Sequence, residues 1–288
     1  MGFRSAEEIV KDKEKGASEL AVDAAETLKH LEEKEAEEYI TKIIKNRGTI
    51  TPLVNLANEF FLAVEEGSDH QDVSNDFVEG IRSAKEDVVE NAKMILKDEN
   101  LSHLATLSYS STVIETLVHA EEVTVFESRP KREGRKTAEK LPQNIKINYW
   151  VDAGMMKALE DVDAVLVGAD TVTSDFFVNK LGTHPLVTCV KECGLPVYVA
   201  ADTTKYLPDD LTFPIGERHP GEEVWDADTD KINVEVHNQY FEAVPLTHDH
   251  IYLISEEGVI DEGTLSNLTE QKEVSSRLKR DFPSSEKF

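Results

Sequence analysis

The sequence predicts an α/β protein: a helical N-terminal domain followed by a Rossmann-like domain with a doubly wound, mostly parallel sheet. Over residues 1–98 apolar side chains recur every three or four positions, which is the period of amphipathic helices. From residue 99 onward short runs rich in β-branched residues alternate with helical stretches, as in right-handed βαβ units. We therefore expect domains at 1–98 and 99–268. A polar tail follows at 269–288, and its residues 270–288 are expected to be partly disordered or frayed.

The N-terminal domain is expected to contain four or five helices. Gly16, residues 46–48 and residues 67–69 combine glycine with short polar side chains, which favour turns and helix caps. These three positions are the predicted breaks between helices.

The second domain is expected to bind its ligand at one edge of the sheet, because ligands in such folds bind outside the carboxyl ends of the strands. The loops after the first, second and fourth strands should therefore converge. The predicted strands are 104–107, 123–126, 145–150, 164–167, 197–200 and 251–255. The predicted helices between them are 111–119, 135–141, 153–159 and 179–193.

Charge and hydropathy restrict the classes of partner. The 288 residues include 57 Asp and Glu against 31 Lys and Arg, for a net charge of −26, and 40% of them are hydrophobic. Such a polyanion is repelled by phosphate backbones and anionic membranes, so we expect neither direct nucleic-acid binding nor membrane binding. With no apolar run of about 18 residues and no apolar signal core, a cytoplasmic protein is expected. The acidity is typical of a halophilic-type surface that stays hydrated in high salt.

The sequence predicts neither a cofactor nor a metal. It contains no Gly-x-Gly-x-x-Gly at a strand-to-helix turn and no Gly-x-x-x-x-Gly-Lys-Ser/Thr. Two histidines come together only in the segment Thr-His-Asp-His at 247–250, and no third ligand has a supporting spacing. Cys189 and Cys193 are too few for a disulfide framework and are interpreted as small buried apolar residues.

A hydroxyl-rich turn precedes the helix predicted at 111–119. Ser108, Ser110 and Ser111 lie at or next to its start, where hydroxyls and free N–H groups can face one phosphate. The alternative interpretation is that one of these hydroxyls simply caps the helix.

Asp170 ends an apolar strand at the same edge of the sheet. Desolvation there would raise its pKa, which suits a general acid or base near neutral pH, although the carboxylate is equally able to cap the following turn. Asn179 and Lys180 are expected to open the next helix and to present an amide and an ammonium to the same ligand. A lone lysine at a helix start is more often solvated.

The loop after the second strand is the most basic part of the chain. Arg129 is followed by a proline and then by Lys131, Arg132 and Arg135. This cluster predicts an anionic ligand. Alternatively, it is a surface patch paired with neighbouring acids.

Four segments, taken together, resemble a known family. They are Val-Leu-Val-Gly-Ala-Asp at 165–170, Val-Asn-Lys-Leu-Gly-Thr at 178–183, Glu-Ser-Arg-Pro at 127–130, and Asn-Gln-Tyr-Phe-Glu at 238–242 with Pro245. The family unites the alpha, beta and delta subunits of translation initiation factor 2B with methylthioribose-1-phosphate isomerase and ribose 1,5-bisphosphate isomerase. The resemblance implies a helical domain on a Rossmann-like domain that dimerises.

The resemblance also implies roles for single residues. Asp170 matches the isomerases' catalytic aspartate, and Asn179, Lys180 and Arg129 match residues that grip the sugar phosphate. Arg47 resembles an early phosphate-binding arginine, although Gly48 replaces the usual proline.

Two departures argue against isomerase chemistry. Ser108 stands where the isomerases have their catalytic cysteine, and a hydroxyl is a poorer acid and nucleophile than a thiol. Asp175 and Phe176 stand where they tend to have Asn-Gly.

We therefore expect a regulatory or non-catalytic protein that binds a sugar phosphate or nucleoside monophosphate between its domains. A homodimer is expected, with translation initiation factors as further candidate partners. The alternative is an active aldose-phosphate to ketose-phosphate isomerase. A third hypothesis is a structural interaction module whose pocket is empty.

Overall fold

The computed structural model describes residues 3–12, 15–211, 218–226, 231–246 and 250–281. Its N-terminal part is helical, with α1 (Ala6–Lys11), α2 (Ala17–Leu28), α3 (Glu33–Arg47), α4 (Thr51–Glu66) and α5 (His70–Asp98). The predicted breaks are confirmed. Gly16 precedes α2, Gly48 follows α3, and Gly67 ends α4 in the left-handed conformation at φ 73°. Within the described residues no helix, α5 included, combines the length and apolarity that crossing a bilayer requires.

The remainder of the chain alternates strands and helices. The strands are β1 (His103–Thr106), β2 (Glu122–Phe126), β3 (Lys146–Trp150), β4 (Ala164–Gly168), β5 (Thr171–Val172), β6 (Phe176–Lys180), β7 (Val197–Ala200), β8 (Phe241–Pro245), β9 (Ile251–Ser255) and β10 (Gly258–Ile260). The helices are α6 (Ser111–Leu117), α7 (Glu133–Lys140), α8 (Met155–Ala158), α9 (Thr183–Cys193), α10 (Glu262–Thr269) and α11 (Ser276–Asp281).

The main sheet confirms the α/β prediction. Its order is β10-β9-β7-β4-β1-β2-β3, and every pairing is parallel except that between β9 and β10. The six parallel strands follow the doubly wound order 3-2-1-4-5-6, which reverses between β1 and β4. All five residues of β4 are buried, as expected for a central parallel strand. The reversal places the ligand crevice at the carboxyl ends of β1 and β4.

A second, antiparallel sheet was not predicted. It has the order β5-β6-β8, and β6 pairs along its whole length with β8. Asn179 and Lys180 therefore end a strand, and the prediction that they open a helix is wrong: α9 begins at Thr183, after Gly182 at φ 104°. The cause is tertiary, because β8 comes from a segment about 60 residues further along the chain and its pairing cannot be seen in the local pattern.

The C-terminal segment is also more ordered than expected. Residues 276–281 form α11, and Val274 and Leu278 are buried in the apolar core of the helical domain. Asn58 on α4 holds this segment from both sides: its Nδ2 donates to the carbonyl of Glu273 at 2.8 Å, and its Oδ1 accepts from the N–H of Ser275 at 2.9 Å. The expected fraying does not apply to residues 270–281, because two apolar side chains suffice to dock a polar segment. Residues 282–288 lie outside the described part of the chain.

The interpretation of both cysteines as buried is wrong for Cys193. It is exposed at the last residue of α9, whereas Cys189 is half-buried. The Sγ of Cys193 lies 3.9 Å from the Sδ of Met156. A helix end that turns into solvent at Gly194 leaves its last side chain uncovered.

Candidate functional site

The loops after β1 and β4 meet at the switch point of the sheet. Gly168 ends β4 against Ser110, and a Cβ added to Gly168 would lie 3.0 Å from the Oγ and 3.1 Å from the Cβ of Ser110. Any larger residue there would require Ser110 to shift by a few tenths of an ångström. We call the surface between Ser108–Ser111 and Asp170 the switch-point cleft.

Ser108 has a backbone conformation that is unusual for serine. Its φ is 78°, in the left-handed region. Two hydrogen bonds hold it: the N–H of Ser108 donates to the Oγ of Ser128 at 2.7 Å, and the Oγ1 of Thr137 donates to the carbonyl of Ser108 at 2.8 Å. Such strained residues cluster at functional sites.

The hydroxyl of Ser110 caps α6. Its Oγ accepts a hydrogen bond from the N–H of Val113 at 3.4 Å, so the capping interpretation applies to this residue. Ser111 is the first residue of α6 and is half-buried.

Asp152 fixes the loop after β2 and was not identified from the sequence. Its two carboxylate oxygens accept the N–H groups of Ser128 and Arg129, each at 2.8 Å. Since Ser128 in turn binds Ser108, this carboxylate sets the position of both loops. Its place just after β3, at the carboxyl edge of the sheet, was the available signal.

Lys180 is buried and paired with an acid that the sequence analysis missed. Its side chain is 1% exposed, its Nζ lies 2.6 Å from the Oε1 of Glu133, and the same Nζ lies 5.0 Å from the ring centroid of Tyr240. The second carboxylate oxygen of Glu133 is buried and has no hydrogen-bond partner in the described part of the chain. Glu133 is the first residue of α7, where a carboxylate is favoured by the helix dipole.

Asp170 carries a carboxylate that no described residue hydrogen-bonds. Its backbone N–H donates to the carbonyl of Val178 at 2.9 Å, which ties the residue to β6. Burial raises the pKa of Asp170, the nearby charges of Lys205 and Lys180 lower it in part, and that of Glu133 raises it.

Lys205 is a second buried cation at this edge, on the turn after β7. It is 6% exposed, and its Nζ lies 3.9 Å from the Oδ2 of Asp202. The sequence analysis missed it because only three strand ends were considered. The available signal was that Lys205 lies five residues after the end of β7, a buried strand whose following loop was not considered.

Asn179 has a local structural role. Its Nδ2 donates to the Oγ1 of Thr183 at 3.1 Å, and the residue is 4% exposed. Thr183 in turn donates to the carbonyl of Lys180, which ties the end of β6 to the start of α9.

The basic cluster is neutralised by acids, as in the second interpretation given above. Lys131 binds Glu223 at 2.6 Å, while Arg132 and Arg135 both approach Glu127, at 3.5 and 3.4 Å. Burial acts to raise the pKa of Glu223, but hydrogen bonds from Lys131, Tyr240 and Asn238 outweigh it and lower the pKa to about 2.

The two predicted phosphate-binding arginines bind backbone carbonyls. The guanidinium of Arg129 donates to the carbonyl of Val224 at 3.0 Å. That of Arg47 donates to Val10 and Asp12 at 3.1 and 3.0 Å.

Helix α4 packs against the strand that follows Asp170 and against the turn that carries Lys205. The hydroxyls of Thr51 and Thr171 lie 2.6 Å apart, which places the start of α4 next to Asp170. One turn later the Nδ2 of Asn55 donates to the carbonyls of Thr204 and Tyr206, in the turn that carries Lys205. Helix α4 therefore lies beside the cleft.

A separate groove lies away from this edge of the sheet. Among the described residues no three His, Cys, Asp or Glu side chains are grouped to hold a metal ion, and Thr247, His248 and Asp249 lie outside them. An open groove of about 600 Å³ is lined by Glu90, Lys93 and Ser102 among others. Ser102 precedes β1, so this groove lies at the opposite edge of the sheet from the cleft.

Comparisons with known proteins agree with this geometry. The chain is 27% identical over 279 residues to the ribose 1,5-bisphosphate isomerase of Archaeoglobus fulgidus, covering 90% of this chain and 89% of that one. It superposes on the crystal structure of translation initiation factor eIF-2B from Pyrococcus horikoshii with a TM-score of 0.70 and 25% identity, covering 88% of this chain and 94% of that one.

The 5-methylthioribose 1-phosphate isomerase of Pyrococcus horikoshii shares the fold. Its TM-score is 0.64 at 19% identity, and the match covers 91% of this chain and 86% of that one. Residues 13–262 match the model of the initiation factor 2 subunit family. A match over that length, on a chain with this topology and cleft, means that the protein belongs to the initiation factor 2 subunit family.

Proposed function

We propose that this protein binds a sugar phosphate or a nucleoside monophosphate in the switch-point cleft and acts as a regulatory, non-catalytic member of its family. The observation that carries the proposal is that two buried ammonium groups, Lys180 and Lys205, act electrostatically on Asp170, whose carboxylate no described residue hydrogen-bonds. Each lysine is already paired with a carboxylate, Lys180 with Glu133 and Lys205 with Asp202, so a ligand phosphate would share or replace one of these partners.

The chemistry of these groups fits the two halves of such a ligand. Ammonium groups attract a phosphate, and a carboxylate without a donor accepts hydrogen bonds from sugar hydroxyls. The similarity to a ribose 1,5-bisphosphate isomerase over nearly the whole chain supports a sugar phosphate as the ligand.

The non-catalytic role rests on Ser108. In the family resemblance it occupies the position of the thiol that the isomerases use. Both of its hydrogen bonds to described residues involve its backbone, and no described group acts as a base on its hydroxyl. A serine without a base is a weak acid and nucleophile.

The second candidate is an aldose-phosphate to ketose-phosphate isomerase, which the raised pKa of Asp170 favours. In that reaction the ring bond between C1 and O4 breaks, Asp170 takes the proton from C2 and returns one to C1, and the proton of the C2 hydroxyl moves to O4, while the phosphate stays on the C1 oxygen. A carboxyl group whose pKa lies closer to neutrality is better suited to both steps.

One experiment separates the two candidates. Purified protein is incubated with ribose 1,5-bisphosphate or methylthioribose 1-phosphate, and ketose formation is followed. We expect no turnover. Turnover that Asp170→Asn abolishes would overturn the non-catalytic proposal and establish the isomerase.

Binding is measured in parallel by calorimetry with the same sugar phosphates and with nucleoside monophosphates. We expect binding that Lys180→Ala removes, with Lys93→Ala, on the distant groove, as the control. Equal binding by the Lys180→Ala and Lys93→Ala variants would show that the ligand does not bind in the cleft.

We also propose a homodimer. Each of the two sheets ends in an edge strand with a large exposed apolar side chain, Tyr149 on β3 and Phe241 on β8. Exposed edges of this kind favour pairing with another chain. Light scattering tests the dimer, and co-purification with initiation factors tests the second class of partner.

A further inference from the structure

The ammonium group of Lys180 is buried and paired with Glu133. Lys180 is 1% exposed and its Nζ is 2.6 Å from the Oε1 of Glu133, so a ligand phosphate in the cleft has no direct access to it. If the phosphate approached with the pair intact, it would lie beside a carboxylate, and like charges at such a distance repel strongly in a partly buried site.

Among the described residues, the carboxylate of Glu133 has Lys180 as its one hydrogen-bond partner. Its Oε2 is buried and unpartnered, which costs free energy relative to a solvated oxygen. The side chain as a whole is 23% exposed, so one side of it faces water. The Glu133 side chain can therefore rotate towards water, and this rotation would solvate its unpartnered oxygen.

The backbone at this position cannot move with the side chain. A Cβ on the neighbouring Gly134 would lie 1.9 Å from the carbonyl oxygen of Phe126, so α7 begins in direct contact with the end of β2. Displacement of Glu133 is thus a rotation of its side chain into solvent.

We propose that Glu133 is an internal counter-anion that a ligand phosphate displaces from Lys180. The inference rests on the proposed function, since it names the step by which that cleft admits its ligand. Glu133 thereby sets the affinity of the cleft for phosphate monoesters. Its displacement breaks the ion pair with Lys180, and while it stays in the site its negative charge repels the phosphate.

The test compares Glu133→Gln with the wild type in calorimetric titrations with inorganic phosphate and with ribose 5-phosphate. Glutamine keeps the shape but removes the charge, so both probes should bind about tenfold more tightly, which corresponds to about 1.4 kcal/mol. Glu127→Gln is the matched control, because it removes the same charge from the same loop at a residue that pairs with Arg132 and Arg135. It should change the affinity less than twofold.

The outcomes distinguish the inference from the proposal on which it rests. Equal or weaker binding by Glu133→Gln, with a melting temperature like that of the wild type, overturns the inference and leaves the proposed function standing. An equal gain in both Glu→Gln variants overturns it too, because the effect is then one of net charge. If neither wild type nor Glu133→Gln binds either probe, the proposed function fails and the inference with it.

Discussion

Thr51, the first residue of α4, and Thr171, the first residue of β5, share a buried hydrogen bond of 2.6 Å between their hydroxyls. The bond joins the helical domain to the strand that follows Asp170. It fixes the start of α4 relative to β5 beside the switch-point cleft.

Thr51→Val is expected to destabilise the protein by about 1–3 kcal/mol, because the hydroxyl of Thr171 is left buried without its partner. Urea unfolding measures the loss. The double variant Thr51→Val/Thr171→Val should recover most of it, since both polar groups are then gone. A double variant as unstable as the sum of the single variants would contradict the coupling.

Asp170→Asn is expected to stabilise the protein at pH 7 by about 1–3 kcal/mol, because a partly buried charge without a hydrogen-bond donor is removed. The folded-state pKa of Asp170 is raised above its unfolded value, so the charge costs stability above the folded pKa. The gain should shrink as pH falls through that pKa and vanish near the unfolded value of about 3.9. Thermal unfolding at several pH values checks it, and a gain independent of pH would contradict the stated cause.

Gly134→Ala is expected to destabilise the protein by about 3 kcal/mol, because the added Cβ would meet the carbonyl oxygen of Phe126 at 1.9 Å. Gly80→Ala is the control: that glycine lies on α5 with no atom within 4 Å of the added carbon. It should gain about 0.5–1 kcal/mol from helix propensity. Chemical denaturation compares the two, and similar effects would argue against the close approach of α7 to β2.

Leu278→Ala tests the docking of the C-terminal segment. Leu278 is fully buried in the core of the helical domain, so the truncation should cost about 2–5 kcal/mol. Val259→Ala on β10, where the side chain is 53% exposed, should stay within about 0.5 kcal/mol. A Leu278 variant as stable as the wild type would mean that the segment adds nothing to the fold.

The net charge of −26 predicts a dependence on salt. Repulsion among the acids is screened over about 10 Å at 0.1 M salt and about 3 Å at 1 M, so the free energy of unfolding should rise between these concentrations. Unfolding in urea at a series of KCl concentrations measures it. Equal stability at both ends would argue against the halophilic-type surface.

The spacing of apolar residues and the positions where apolar strands end were sufficient to predict much of the fold. The main-sheet strands that the sequence predicts agree with the structure within one or two residues, and Asp170 lies at the switch point where the end of an apolar strand suggests. These features depend on short-range patterns: burial on both faces makes β4 continuously apolar, and the carboxyl ends of parallel strands share one edge.

Tertiary structure decided the partners of the site residues. Lys180 is a strand residue because β8 pairs with β6, and its counter-ion Glu133 comes from 47 positions earlier in the chain. Arg47 and Arg129, which look like free cations in the sequence, bind backbone carbonyls instead. The sequence by itself determined the fold class, the edge where chemistry is placed and the carboxylate at its centre. Which charges neutralise one another was decided by contacts between residues far apart in the chain, and a local pattern carries no information about such contacts.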